Sequence, residues 1–207
     1  MITTKEMKEL EDMAEQIGIS REELMENAGR RVVEALDNKF GEELAQKKIL
    51  VVCGQGNNGG DGFVIARLLS TESKVTVLFL GVKERLSPEA LTNYESLEDI
   101  DKNMIIKHED ELFATIKLNE FDIIIDAMLG TGVQGPLQYP YSGIVRDINH
   151  SKPFVVSVDV PTGVDPDTGK CHADLFVDAD MIVTFHDTKP GLKKFKDKVI
   201  VADIGIP

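Results

Sequence analysis

The chain is short of cysteine, histidine and positive charge. Its two cysteines, Cys53 and Cys171, cannot build a disulfide framework, and its four histidines include no close pair that would complete a zinc site. Cys53 falls inside an apolar run and reads as a buried strand residue. Lysine and arginine number 23 against 36 aspartates and glutamates, a net charge of −13. That field repels nucleic acid and anionic membrane. The one basic run, Lys193-Lys194-Phe195-Lys196, reads as a solvated turn. No apolar run approaches the roughly 20 residues needed to span a bilayer. Met1 to Glu6 leads into alternating charges, where a signal peptide would need an apolar core. Repeats, low-complexity tracts and linkers are also missing. These absences predict one domain over residues 1–207, with no nucleic-acid or membrane partner and a cytoplasmic location.

What is present is periodicity. Met7, Leu10, Met13, Ala14 and Ile17 form one helical stripe, and Leu24, Met25, Ala28, Val32, Val33 and Leu36 form another. Thr3 with Glu6 and Ser20 with Glu23 have capping-box spacing, so two N-terminal helices divided near Gly18 are expected. Short apolar runs then alternate with helical segments. The expected strands are Ile49–Cys53, Val75–Leu80, Met104–Lys107, Asp122–Asp126, Phe154–Asp159, Met181–Phe185 and Val199–Ala202. The expected helices are Asp61–Ser70, Pro88–Leu97, Asp110–Leu118 and one near Tyr141–Asn149. Several strands are apolar on both faces, as buried parallel strands are. The pattern predicts an α/β fold, a three-layer α/β/α sandwich around a Rossmann-like, mostly parallel sheet, preceded by the two helices.

Three loops follow strands and carry chemistry, and in such sheets they should share the carboxyl edge where ligands bind. The first runs Gly54-Gln55-Gly56-Asn57-Asn58-Gly59-Gly60-Asp61-Gly62, a glycine-rich turn into a helix whose N-terminus suits a phosphate. Its G-x-G-x-x-G spacing is a weak signal by itself. The next strand ends in Leu80-Gly81-Val82, with no acid for a ribose, which argues against a nicotinamide dehydrogenase. The second loop is Asp126-Ala127-Met128-Leu129-Gly130-Thr131-Gly132-Val133-Gln134-Gly135-Pro136. The third is Ser157-Val158-Asp159-Val160-Pro161-Thr162-Gly163. A carboxylate closing a buried strand can be structural, but two of them at the ligand edge favour function. Asp165 and Asp167 read as turn residues.

These motifs, with Thr184-Phe185-His186-Asp187-Thr188-Lys189-Pro190-Gly191 and Met25-Glu26-Asn27-Ala28-Gly29, resemble the YjeF N-terminal domain, the NAD(P)H-hydrate epimerase family, over nearly the whole chain. The resemblance implies interconversion of the R and S epimers of hydrated NADH or NADPH. It implies that Asn57, Asn58, Gly59, Gly60, Asp61, Gly130, Thr131, Gly132, Val133, Gln134, Gly135 and Pro136 hold substrate. Asn58, Asp126 and Thr162 would bind potassium, and Asp159 would contact the reacting ligand. It further implies a homodimer and, because the chain stops at Pro207, epimerisation alone, with a separate dehydratase as functional partner.

The residue types suit that chemistry. The ring nitrogen of the hydrate can expel the C6 hydroxyl once it is protonated, so Asp159 is expected to act as acid and then as base, with a raised pKa. Oxygen-rich side chains suit a hard monovalent ion. Lys189 could pair with a phosphate or a carboxylate or be solvated, and His186 is equally open. A non-catalytic binding module is the competing reading, disfavoured by the retained Asn58, Asp61, Asp126 and Asp159 and by the acidic surface.

Overall fold

The computed structural model of the chain describes residues 1–109, 111–132 and 135–207. It opens with helices α1 (Thr4–Gln16) and α2 (Arg21–Phe40). Strands β1 (Lys48–Cys53), β2 (Lys74–Phe79), β3 (Ile105–Lys107), β4 (Ile123–Ala127), β5 (Phe154–Val158), β6 (Met181–Phe185) and β7 (Val199–Ala202) follow. Between them lie α3 (Asn57–Leu69), α4 (Pro88–Asp101) and α5 (Tyr141–Asn149). All strand pairs are parallel, in the order β3-β2-β1-β4-β5-β6-β7.

Alternation along the strands feeds two cores. Ile49, Val51 and Cys53 face α1 to α4, beside Met7, Leu36, Phe63 and Tyr94. Leu50, Val52 and Ile124 face the other way, against Ile144, Val145 and Ile148 of α5. This is the expected three-layer arrangement. The chain winds outward from β1 in one direction and from β4 in the other, so the loops after β1 and β4 diverge and leave a crevice at their carboxyl ends.

The N-terminal helices are capped as the spacing predicts, though unequally. Thr3 and Glu6 form a reciprocal box, whereas Ser20 accepts from the Glu23 N–H with no return bond. Asp167 is more than a turn residue, since its carboxylate accepts from Thr4 N (2.8 Å) and Thr4 Oγ1 (2.6 Å) and ties α1 to the distant loop.

Two expectations fail. No α-helix runs over Asp110–Leu118. Short 3-10 turns occur at Glu111–Thr115 and Leu118–Glu120, and Asp110 lies outside the described residues. The β-branched pair Thr115-Ile116 and an extended Lys117 (φ −107°, ψ 100°) stop any helix there. In contrast, α3 starts at Asn57, four residues before Asp61. Its glycines belong to the helix because contact requires them there. A Cβ on Gly62 would sit 2.7 Å from Cys53 Sγ, and one on Gly60 2.5 Å from Met25. Close packing offsets the helical cost of glycine.

Candidate active site

A cavity of about 410 Å³ opens above the carboxyl ends of β1, β4 and β5. Its walls bring together Asn57, Asn58 and Asp61 of α3, Gly130, Thr131 and Gly132 after β4, Asp159 after β5, and Met7, Glu11, Leu24 and Met25 of the two N-terminal helices. Gly59 and Gly60 are buried behind that wall, Gly135 and Pro136 are not among its residues, and Val133 and Gln134 lie outside the described residues.

Backbone makes the first wall. Gly54 donates to Ala127 O (3.0 Å), and a Cβ on it would fall 1.8 Å from Met128 O. A Cβ on Gly59 would lie 2.0 Å from Gly54 O. The three segments can meet only without side chains. Gly56 precedes α3 with no side-chain cap, and the first turn carries no acid. The leading N–H groups and the positive end of the helix dipole are therefore left for an anion.

Asp126 is the penultimate residue of β4 and is completely buried. It accepts from Thr162 Oγ1 (2.7 Å), Ser157 Oγ (2.8 Å), Thr162 N (2.9 Å) and Met128 N (3.3 Å). Burial pushes its carboxyl up from the ordinary value even against those bonds. Among the described residues it has no ion-pair partner. Thr162 Oγ1 also lies 3.3 Å from Leu129 O. The neighbouring Asn58 is buried with its Nδ2 unpartnered, and its Oδ1 faces Gly130. The oxygens gathered here, Asn58 Oδ1 beside Gly130, Thr162 Oγ1, Leu129 O and the carboxylate of Asp126, are the kind of ligand a hard monovalent cation takes, while Asn58 Nδ2 is a donor that would face an acceptor instead.

Asp159 is held differently. It sits at φ 63°, in the left-handed region where an aspartate is uncommon, with its N–H on Val183 O (2.7 Å). Its Oδ1 accepts from Thr184 Oγ1 (3.2 Å), Phe185 N (3.2 Å) and Lys189 Nζ. Lys189 is wholly buried and also donates to Phe185 O (2.9 Å) and Thr184 Oγ1 (3.1 Å). The solvated reading of Lys189 is thus corrected, and its partner is a carboxylate. Asp159 Oδ2 accepts no bond among the described residues, although the residue lines the cavity. His186, also left-handed at φ 64°, turns the chain so that Lys189 reaches back, but is not among the cavity's lining residues.

Two further carboxylates face the same space. Asp61 is held well above the ordinary value, first by removal from water and then by the charges of Asp159 and Glu11. Glu11 is raised by burial and by Asp159. Sequence reasoning missed Glu11 altogether. Its signal was its place one helical turn after the buried Met7, where a carboxylate stands next to an apolar stripe.

Residues 21–191 match the family model described as "YjeF-related protein N-terminus". The NAD(P)H-hydrate epimerase of Nitrosopumilus maritimus is 38% identical over 213 residues, covering all of this chain and 95% of that protein. The bifunctional NAD(P)H-hydrate repair enzyme Nnr of Archaeoglobus fulgidus is 43% identical over 209 residues, and that of Methanothermobacter thermautotrophicus 41% over 206. The chain spans about two fifths of the length of these bifunctional relatives. Among solved structures, that of yeast ynu0 superposes with a TM-score of 0.82 at 26% identity, covering 97% of this chain and 86% of that one. A family match over residues 21–191, together with identities near 40% along the whole length, places the chain: it belongs to the family of YjeF-related protein N-termini.

Proposed function

We propose that this chain epimerises hydrated NADH and NADPH. The observation that carries the reading is Asp159, a carboxylate with one oxygen fixed by three donors and the other free, in a cavity that also holds an uncapped helix N-terminus. The dinucleotide pyrophosphate would lie at the N–H groups of Asn57, Asn58 and Gly59, beside Gly130, Thr131 and Gly132, and the hydrated ring at Asp159. The names of the relatives support the reaction: one is called an NAD(P)H-hydrate epimerase and others NAD(P)H-hydrate repair enzymes.

The chemistry needs a proton at the C6 hydroxyl, expulsion of water by the ring nitrogen lone pair, and addition of water to the other face. No redox step is involved. Potassium, held by Asn58, Asp126, Thr162 and loop carbonyls, would supply positive charge beside the substrate phosphates. A dehydratase acting on one epimer would draw the equilibrium onward. Exposed Met13 and Ile17 on and after α1 support a homodimer through the N-terminal helices.

The test gives the R epimer of NADH hydrate to the purified protein in potassium buffer and follows approach to the R/S mixture by chromatography. Rapid approach is expected, slowed by about 10²–10⁴-fold in Asp159→Asn. No acceleration by folded wild-type protein would overturn the function, and equal rates in choline buffer would remove the ion from it.

A further inference from the structure

We infer that the inversion uses two carboxyl groups, Asp61 delivering the proton to the departing hydroxyl on one face of the ring and Asp159 taking the proton of the entering water on the other. The inference rests on the epimerase reading and revises the expectation that Asp159 performs both transfers.

Stereochemistry sets the requirement. Loss of water from one face of C6 and addition at the opposite face places an acid and a base on opposite sides of one planar ring. A single fixed carboxylate reaches one side. Inverting glycosidases meet the same demand with two carboxyl groups, separated widely enough to admit a water.

The fold brings the two residues to one crevice from different elements. Asp61 stands on the helix that follows β1, Asp159 at the end of β5, and β4 lies between those strands. Neighbouring strands are about 4.8 Å apart, so the ends of β1 and β5 are separated by roughly 10 Å, with Asp61 set beyond the first of them on α3. Both residues line the one cavity. Their surroundings are unequal. Asp159 has the Lys189 ammonium on Oδ1 and an Oδ2 with no hydrogen-bond partner among the described residues. Asp61 accepts no hydrogen bond from any described residue. The charged and titratable groups around it are Glu11 of α1, Arg21 of α2, Cys53 of β1, Glu89 of α4, Asp159 and Lys189. Removal from water raises the Asp61 carboxyl most, the charges of Asp159 and Glu11 raise it further, and Lys189 opposes them, so the protonated form is favoured well above the ordinary carboxylate range.

The step balances. The Asp61 proton goes to the C6 hydroxyl, the C6–O bond breaks with its electron pair on oxygen, and the ring nitrogen lone pair forms the C6–N double bond. A water oxygen then bonds to C6 from the opposite face, the π pair returns to nitrogen, and the water proton passes to Asp159. One proton has moved from Asp61 to Asp159, and the reverse reaction returns it.

The test compares wild type, Asp61→Asn, Asp61→Ser and Asp159→Asn for kcat, KM and pH profile, with each variant's fold checked by thermal melting. In the wild type, one proton shared by the pair gives a bell-shaped kcat/KM profile. Each single variant is expected to lose one limb of the bell. Both Asp61 variants should lose about 10²-fold or more in kcat with KM changed only a few-fold. In water labelled with oxygen-18, every inversion should exchange the C6 oxygen. A kcat within threefold of wild type in either Asp61 variant, a defect confined to KM, or inversion that retains the original oxygen would each overturn the pair. Failure of the wild type to epimerise would instead defeat the underlying function, so the two failures are distinguishable.

Discussion

Strands β4 and β5 lie side by side, and each runs into an aspartate, yet the two carboxylates are treated in opposite ways. Asp126 is sealed off and served by neutral donors only, with no charged partner among the described residues. Asp159 carries a strained backbone, a buried ammonium on one oxygen, and an open cavity at the other. Asp126 binds the loops after β4 and β5 into one body through Thr162, and Asp159 faces the cavity. A residue type at a topological position does not fix a role, and the neighbouring donors do.

Removing the cation should have the largest effect. Lys189→Met leaves Asp159 as a buried charge without its partner, at a cost of about 3–5 kcal/mol, or a fall in Tm of roughly ten degrees or more. Epimerisation should fall with it, since the carboxylate loses the group that orients it. In the double variant Lys189→Met/Asp159→Asn no charge is stranded, and much of the melting temperature should return. If the single variant melted within two degrees of wild type, the contrast between the two strand ends would collapse.

Asp126→Ala tests the other side. It takes the acceptor from Ser157 Oγ, Thr162 N and Met128 N in the interior and leaves Thr162 Oγ1 with Leu129 alone, which should cost about 2–3 kcal/mol. Residual activity should no longer respond to exchange of potassium for choline. A potassium response of wild-type size in that variant would place the ion elsewhere.

Much of this was legible before any coordinates. The apolar run Ile49–Cys53 announced β1, and runs of three apolar residues announced β4, β5 and β6, because strands buried on both faces are apolar on both. The glycine run announced a cradle, because a Cβ on Gly54 or Gly59 would fall 1.8 Å or 2.0 Å from a backbone oxygen. What was not legible depended on distant partners. Lys189 is open in the sequence between a phosphate, a carboxylate and solvent, and only the fold puts its ammonium on Asp159. Glu11 reads as the polar face of an amphipathic helix until α1 is laid across the crevice, an orientation fixed by Asp167 capping Thr4 from 163 residues away. The expected helix after β3 failed for a local reason, its β-branched pair and the extended Lys117.

The smallest effect separates a carboxyl group held for reaction from one held for architecture. At pH values below the ordinary carboxylate pKa of about 4, Asp61 is protonated in the folded and unfolded chain alike and contributes nothing to the difference between them. Above that, the unfolded chain releases the proton while burial and the charges of Asp159 and Glu11 keep the folded chain protonated. Stability therefore falls as pH rises, until the folded group ionises as well. Asp61→Asn removes this loss. It should raise Tm by about 2–4 °C at pH 7 and by nothing near pH 4, while epimerisation is lost. Asp159→Asn should lower Tm at pH 7, because it leaves the Lys189 ammonium buried without a carboxylate. Two Asp→Asn changes in one cavity would then move stability in opposite directions while both abolish turnover, a result that loss of a shared structural contact could not produce.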